Sequence, residues 1–231
     1  MLRTVKNDSG LSSKLTAASR AYQTASRLVR RTFPVIPSKD CYNITICHER
    51  RFIWFRVAKV GTRTIFNAFE QGSLNLDAEH PMFCRYPEGL YKDYFKFAFV
   101  RNPWDRLLSC WHNKVVDSNY FKFSQERRAR MQQYEKFVEY VEGLDLDQCD
   151  HHIRRQGKLI DLNNIDFVGR FERFEEDLSE VLKEIGLANI AIARKNASEN
   201  RLHYSQRYDY ALRARVGELY KKDIKLFGYS Y

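Results

Sequence analysis

Two stretches of the chain place a cation at a corner between a strand-like run and a helix-like run. In the first, Ile53–Val57 is rich in aromatic and β-branched residues, and apolar residues then recur at helical spacing from Ile65 to Phe69. The corner between them reads Lys59-Val60-Gly61-Thr62-Arg63-Thr64. A helix that starts there presents backbone N–H groups and the positive end of its dipole, which together favour an anion. Lys59 adds a charge to this predicted anion site, and Thr62 and Thr64 add hydroxyl donors.

The order of residues in this corner limits the kinds of ligand that it could bind. A Walker A loop has its lysine directly after the last glycine and a Ser or Thr that binds magnesium. Here Lys59 precedes Gly61, and no Walker A spacing occurs in the chain. The corner is therefore not a standard NTPase loop.

The second corner follows another predicted buried strand, Phe95–Val100. Asn102 is expected to cap a helix, with Pro103 as its first residue and Asp105 as the capping partner. Arg101 then lies just outside a helix N-terminus, where the helix dipole disfavours a cation. A bound anion explains this placement, whereas the alternative is a solvated surface arginine. Ser109 follows two turns later and could reach the same ligand.

These motifs resemble those of sulfotransferases that use 3'-phosphoadenosine 5'-phosphosulfate (PAPS). VAKVGTRTI at Val57–Ile65 is similar to the loop that binds the 5'-phosphosulfate, and RNPWDRLLS at Arg101–Ser109 is similar to the 3'-phosphate site. The resemblance covers about residues 42–230 and is strongest to the branch with carbohydrate sulfotransferases. Three weaker stretches support it: Asp150–Gln156, Phe167–Leu178 and Leu219–Tyr229.

The resemblance implies a P-loop-like three-layer α/β sandwich, with a central parallel sheet flanked by helices. It also implies PAPS as co-substrate, adenosine 3',5'-bisphosphate as product, a hydroxyl acceptor on a carbohydrate, and no metal. The nucleotide-binding residues would be Lys59, Val60, Gly61, Thr62, Arg63, Thr64, Arg101 and Ser109, with Arg170 and Ser205 at the border of the site.

Sulfuryl transfer to a hydroxyl also needs a base near neutral pH. The resembled enzymes carry a catalytic His or Glu after the lysine loop. The resemblance therefore implies His80 as the base, with Glu79 as the second candidate. Lys59 would be catalytic as well. A surface histidine before Pro81 is the alternative. The family's His-x-x-x-Gln stretch aligns with His152 and Gln156, which would then lie near the acceptor.

Length and charge distribution support predictions about the domain organisation and the location of the protein. The chain has 231 residues and a net charge of +10, and seven Lys or Arg against one acid lie before residue 32. We predict a basic N-terminal extension and linker over residues 1–37 and one domain over 38–231. The extension is read as a frayed or helical segment, a transit peptide or a membrane-surface helix. A cytoplasmic location is expected, with organelle targeting or peripheral membrane binding as alternatives.

Metal and membrane signals are weak. Five scattered cysteines without a CxxC motif favour a reduced compartment. The adjacent His151 and His152 suggest a metal site, but we expect no carboxylate or cysteine partner at ligand spacing.

No apolar run is long enough for a membrane span. The oligomeric state stays open.

Several further elements are predicted from periodicity. Residues 42–47 and 52–57 should form a hairpin, and residues 126–143 one packing helix. A strand at 165–168 should lead into a helix that ends at Gly186, and a last helix should contain Leu212 to Tyr220. The polar segment 193–208 is either a basic loop that closes over the nucleotide or a charged surface loop.

Two other functions remain open from the sequence alone. One is a nucleotide-dependent, kinase-like phosphotransferase, which would require magnesium. The other is a non-catalytic protein that binds polyanions or nucleic acid through the basic tail. The sulfotransferase interpretation expects no nucleic-acid partner.

Overall fold

The computed structural model describes residues 25, 28, 29, 33, 35–192 and 204–231. Most of the predicted N-terminal extension therefore lies outside the described residues, as does the first part of the predicted loop at 193–208. The division into residues 1–37 and 38–231 stays a prediction.

A four-stranded sheet forms the centre of the described part of the chain, with strand order β1-β2-β3-β4. The strands are β1 (Ile44–Cys47), β2 (Phe52–Phe55), β3 (Phe95–Val100) and β4 (Phe167–Arg170). The first two strands form the predicted antiparallel hairpin, whereas β2, β3 and β4 are parallel neighbours. Phe55 pairs with Ala98, and Val100 with Arg170, so the carboxyl ends of the three parallel strands meet at one edge.

Helices cover this sheet and build a second apolar cluster beside it. They are α1 (Thr62–Gln71), α2 (Pro103–Trp111), α3 (Gln125–Met131), α4 (Tyr134–Glu142), α5 (Phe174–Glu184), α6 (Tyr210–Leu219) and α7 (Lys221–Phe227). The sheet packs with α1 and α5 in one core, and α2, α4 and α6 share the other. This arrangement confirms the predicted α/β class with a mostly parallel sheet flanked by helices.

The predicted helix over residues 126–143 is wrong in one respect, because it is broken into α3 and α4. The Met131 carbonyl, which a continuous helix would use internally, accepts a hydrogen bond from the Trp111 indole at 2.8 Å. The Gln132 side chain donates to the Val115 carbonyl at 3.1 Å. Tertiary contacts with α2 and the turn after it therefore override the local helical pattern.

The helix predicted to contain Leu212 to Tyr220 is present as α6, which ends at Leu219, and a further helix that was not predicted, α7, follows it. Tyr220 lies between them in a non-helical conformation, and α7 ends at Gly228, which has a left-handed backbone (φ +64°). Phe227 is buried in the sheet core, as expected for a chain end that folds back onto it.

The segment between α1 and β3 runs along the edge of the sheet beside β1. Tyr42 pairs with Cys84, and Ile46 with Ala78, through isolated antiparallel bridges. These backbone hydrogen bonds place Glu79 and His80 next to the β1 edge without a regular strand.

Candidate active site

The first corner joins β2 to α1 through a strained backbone. Lys59 has a φ of +74°, which is uncommon for a residue with a side chain, and Gly61 has a φ of +86°. Gly61 caps α1 but has no side chain to satisfy its first N–H groups. The Thr64 N–H donates to the Gly61 carbonyl at 2.9 Å, which leaves the N–H groups of Thr62 and Arg63 for an anion at the helix N-terminus.

The other residues of the first corner are either buried in the core or exposed to solvent. Val60 is fully buried and Thr64 is 5% exposed, whereas the Arg63 side chain is exposed. The Thr62 hydroxyl lies 3.5 Å from the Val57 carbonyl. Val60 therefore contributes packing, whereas Lys59, Gly61 and Thr62 are partly exposed.

Gly61 is required by space as well as by backbone conformation. A Cβ atom on Gly61 would lie 2.6 Å from the Phe174 ring, which is itself buried in the core. We therefore expect Gly61→Ala to lower the free energy of unfolding by about 1–3 kcal/mol, measured by urea denaturation. Gly143→Ala is the matched control, because its Cβ would meet only ordinary contacts at 3.5 Å. Equal stability of the two variants would contradict this assignment.

The second corner begins as predicted. Asn102 caps α2 by accepting a hydrogen bond from the Trp104 N–H at 3.1 Å, and Pro103 occupies the first turn. The prediction that Asp105 completes the cap is wrong. Its Oδ2 instead accepts from Arg101 Nε at 2.8 Å, because an arginine four residues earlier offers a stronger, charged partner.

Arg101 also joins the two corners physically. Its Nη1 donates to the Lys59 carbonyl at 3.1 Å, and its guanidinium lies 4.0 Å from the centre of the Phe171 ring. The two predicted anion sites therefore share one edge of the sheet. Ser109 lies two turns further along α2 and is 8% exposed.

Arg106 is a site residue that the sequence analysis missed. Its side chain is buried, and it donates to the Ala58, His151 and Arg154 carbonyls at 2.9–3.0 Å. This side chain connects the first corner to the segment that contains the paired histidines. The available signal was a cation among the apolar residues of α2, but spacing alone did not identify its partners.

Gln156 fixes the backbone of the second corner. The side chain is fully buried and forms two hydrogen bonds with the backbone of Arg101, at 2.9 Å from its N–H and 2.8 Å to its carbonyl. Its amide is therefore committed to Arg101, and a position of this segment near the acceptor stays a prediction.

Residues close in sequence to the predicted border residues Arg170 and Ser205 contact Asn102. Glu172 accepts from the Asn102 backbone N–H at 2.6 Å. The Asn102 side chain donates to Tyr204 Oη at 3.2 Å, and Tyr204 directly precedes Ser205 in a short 3₁₀ turn. Arg170 donates to the Phe227 carbonyl and lies 4.7 Å from the Tyr229 ring centre.

Both ring nitrogens of His80 have partners. Nδ1 lies 3.3 Å from Arg56 Nη1, and Nε2 lies 3.0 Å from the Glu79 carboxylate. Because a guanidinium can only donate, Nδ1 must accept and Nε2 must carry the proton. His80 can act as the predicted base only if one of these contacts opens. The His80 side chain is 59% exposed and the Glu79 side chain is 56% exposed.

A second polar cluster surrounds His151 and His152. His152 Nδ1 lies 2.8 Å from Asp150 Oδ1, and the rings of the two histidines are 4.0 Å apart. Three ligand atoms of these residues lie within 4.8 Å of one another, so the expectation of no carboxylate at ligand spacing is wrong. Adjacent residues in a turn bring the carboxylate to the rings, which a search for spaced motifs overlooks.

Burial and charge set the protonation states of this cluster. Burial would raise the pKa of Asp150, but hydrogen bonds from His152 hold that pKa well below its usual range. Burial, with the neighbouring charges of His152 and Arg106, lowers the pKa of His151 to about 4. Burial also lowers the pKa of His152, against the opposing hydrogen bond to Asp150. At neutral pH the cluster is one carboxylate and two neutral imidazoles.

Comparison with known proteins identifies the fold's family. A family model described as "Sulfotransferase family" matches residues 42–230. The chain belongs to this family. No solved structure matches it significantly.

Curated relatives of this sulfotransferase family member are distant and longer. Carbohydrate sulfotransferase 10 of Xenopus laevis is 28% identical over 170 residues, which cover 59% of this chain and 48% of that protein. Carbohydrate sulfotransferase 11 of Rattus norvegicus is 25% identical over 175 residues, covering 60% and 48%. Carbohydrate sulfotransferase 14 of Danio rerio is 26% identical over 177 residues, covering 62% and 48%. The chain spans about half the length of these curated relatives.

Peripheral membrane binding through the N-terminal extension was one of the predicted alternatives, and most of that extension lies outside the described residues. Among the described residues, no helix is both long enough and apolar enough to span a bilayer.

Proposed function

We propose that this protein transfers a sulfuryl group from PAPS to a hydroxyl group of a carbohydrate. The single observation that carries the proposal is the hydrogen bond from Arg101 to the Lys59 carbonyl, which joins two anion-binding corners at one sheet edge. A nucleotide with phosphate groups at its 3' and 5' positions fits two such corners. The names of the curated relatives support a carbohydrate acceptor.

The residues of the first corner suit the 5'-phosphosulfate end of PAPS, where the phosphate is the leaving group. PAPS supplies the activated sulfuryl group when it is bound. Lys59 would neutralise the charge that develops on the departing phosphate, while the N–H groups of Gly61, Thr62 and Arg63 act as preorganised donors. The unsatisfied helix start and the absence of a side chain on Gly61 both fit an anion at this position.

The second corner would select the 3'-phosphate. Arg101 and Ser109 are the predicted ligands, with Arg170 and Ser205 at the border of the nucleotide site. Asp105 and Phe171 hold the Arg101 guanidinium, which is only 14% exposed. An ordinary adenylate lacks the 3'-phosphate and would leave this arginine unused.

The first test is a calorimetric titration with adenosine 3',5'-bisphosphate and, separately, 5'-AMP, both without metal. Micromolar binding of the bisphosphate and far weaker binding of AMP supports the proposal. Equal binding of both nucleotides, or no binding, contradicts it. A magnesium requirement would instead favour the kinase-like alternative, and loss of all ligand binding on removing residues 1–31 would favour a polyanion-binding protein.

Replacement of Arg101 tests the second corner directly. We expect Arg101→Ala to weaken bisphosphate binding about tenfold to a hundredfold, because a charge-assisted contact is worth about 1.5–3 kcal/mol. The double variant Arg101→Ala, Asp105→Asn is the matched control, since it also removes the carboxylate that the single variant leaves unpaired. Unchanged affinity in the single variant would contradict the assignment of Arg101.

The cytoplasmic location, the absence of a metal requirement and the choice of base between His80 and Glu79 stay predictions. The cluster around His152 offers a different candidate for the base.

A further inference from the structure

The Asp150–His152 pair has the geometry of an oriented general base. Asp150 Oδ1 accepts from both the backbone N–H of His152, at 2.9 Å, and its ring Nδ1, at 2.8 Å. An ionised carboxylate can only accept, so Nδ1 must carry the proton. The neutral ring then has its lone pair on Nε2, and no described residue makes a hydrogen bond to that atom.

Tyr120 completes the support of this pair. Its hydroxyl donates to Asp150 Oδ2 at 3.1 Å, and its ring lies edge-on to the His152 ring at 4.7 Å. Asp150 therefore uses one oxygen for the histidine and the other for the tyrosine. A carboxylate held from two sides fixes the tautomer and the orientation of the imidazole.

The pair lies beside the first corner. Arg106 donates from Nε to the Ala58 carbonyl, next to Lys59, and from Nη2 to the His151 carbonyl, at 3.0 and 2.9 Å. One guanidinium thus bridges the lysine corner and the histidine turn. His152 is 12% exposed, so its ring is mostly enclosed but still reaches solvent.

We propose that His152 is the general base for the acceptor hydroxyl and that Asp150 positions it. In this step the hydroxyl proton passes to His152 Nε2 as the acceptor oxygen forms a bond to sulfur. The bond between sulfur and the phosphate oxygen breaks, and the negative charge leaves on adenosine 3',5'-bisphosphate beside Lys59. This inference rests on the proposed function and identifies the base of the same site.

The same cluster favours an acceptor that carries negative charge. Lys114 lies 4.1 Å from the Tyr120 ring centre, and Arg154 lies 5.2 Å from that of Phe83. Desulfated chondroitin offers carboxylates to these cations as well as free hydroxyl groups, and it therefore serves as the probe.

The pH dependence follows from the groups that face His152. These groups are Asp150, His151, Tyr120, Lys114 and Arg106. The base works only when neutral, so activity is lost as the pH falls through the pKa of His152. Asp150→Asn removes the charge that raises this pKa. The acid limb of its pH–rate profile should therefore move to lower pH, and its maximal rate should fall because a weaker base remains.

The decisive experiment combines rates, binding and the tautomer of His152. Sulfate transfer from labelled PAPS to desulfated chondroitin is measured for the full chain with His152→Ala, Asp150→Asn and His80→Ala. We expect His152→Ala to lower kcat about 10²- to 10⁴-fold, with partial rescue by added imidazole and unchanged bisphosphate binding. His48→Ala is the control, because His48 is exposed at the hairpin turn between β1 and β2.

The outcomes separate this inference from the function on which it rests. If the wild type does not bind the bisphosphate, the proposed function is wrong. If it binds normally but the loss of rate occurs in His80→Ala and not in His152→Ala, only the assignment of His152 is overturned. A nitrogen-detected NMR measurement needs no acceptor: protonation of Nε2 instead of Nδ1 in neutral His152 would also overturn it.

Discussion

Replacing Lys59 by methionine should lower kcat for sulfate transfer by about 10²- to 10³-fold, as expected when one preorganised electrostatic contact to developing charge is lost. Lys59 occupies a strained backbone position with a φ of +74°. Methionine keeps the unbranched chain and faces the same backbone cost, so the variant removes chiefly the charge. Because that charge matters most as the phosphate departs, kcat should fall more than bisphosphate affinity.

The measurement is the initial rate of label transfer from PAPS at saturating donor. Lys92→Met is the matched control, because Lys92 is exposed and lies outside the site. Lys59→Arg should recover only part of the rate, since a guanidinium keeps the charge but not the compact shape of an ammonium group. A Lys59→Met enzyme with wild-type kcat would show that the lysine does not meet the leaving phosphate.

Replacing Arg106 by methionine should lower the free energy of unfolding by about 3–5 kcal/mol, which is large for a domain of this size. The arginine is 2% exposed and satisfies three backbone carbonyls from two segments. Each buried carbonyl left without a donor costs about 1–3 kcal/mol. Methionine restores the apolar volume of the stem but none of these hydrogen bonds. Urea denaturation followed by circular dichroism measures the loss.

Arg130→Met on α3 is the control for this variant, because Arg130 is exposed. It should change stability by less than about 0.5 kcal/mol. Arg106→Lys should lie between the two, since an ammonium group cannot reach three carbonyls with the geometry of a guanidinium. If Arg106→Met were as stable as Arg130→Met, Arg106 would not be the connection between the lysine corner and the histidine turn.

The parts of the molecule that were predictable from sequence are those with local causes. The hairpin, the parallel strands and the two helix starts follow from alternating aromatic residues, a glycine corner and the Asn102-Pro103 pair. These signals act within a few residues, because backbone conformation and capping are set locally. The two anion corners could therefore be identified from the sequence, each between a strand and the start of a helix.

The parts that were not predictable depend on contacts between distant segments. Arg106 bonds to residues 45 and 48 positions away, and Gln156 bonds to a backbone 55 positions away. No periodicity reports such partners. The same holds for the break between α3 and α4, where an indole from α2 takes a helical carbonyl. The Asp150–His152 contact is local, but its possible role could be inferred only from the distant residues Tyr120 and Arg106 that surround it.

The ion pair between Arg101 and Asp105 gives the second corner an internal competitor. Under the proposed function, the 3'-phosphate would take the place of a carboxylate that is attached four residues away, so the guanidinium would keep a counter-charge in both states. The tether holds that carboxylate at a high effective concentration, so it would pair with the arginine again when the phosphate leaves. The ion pair would thereby oppose tight retention of the product and return the corner to its starting state after each turnover.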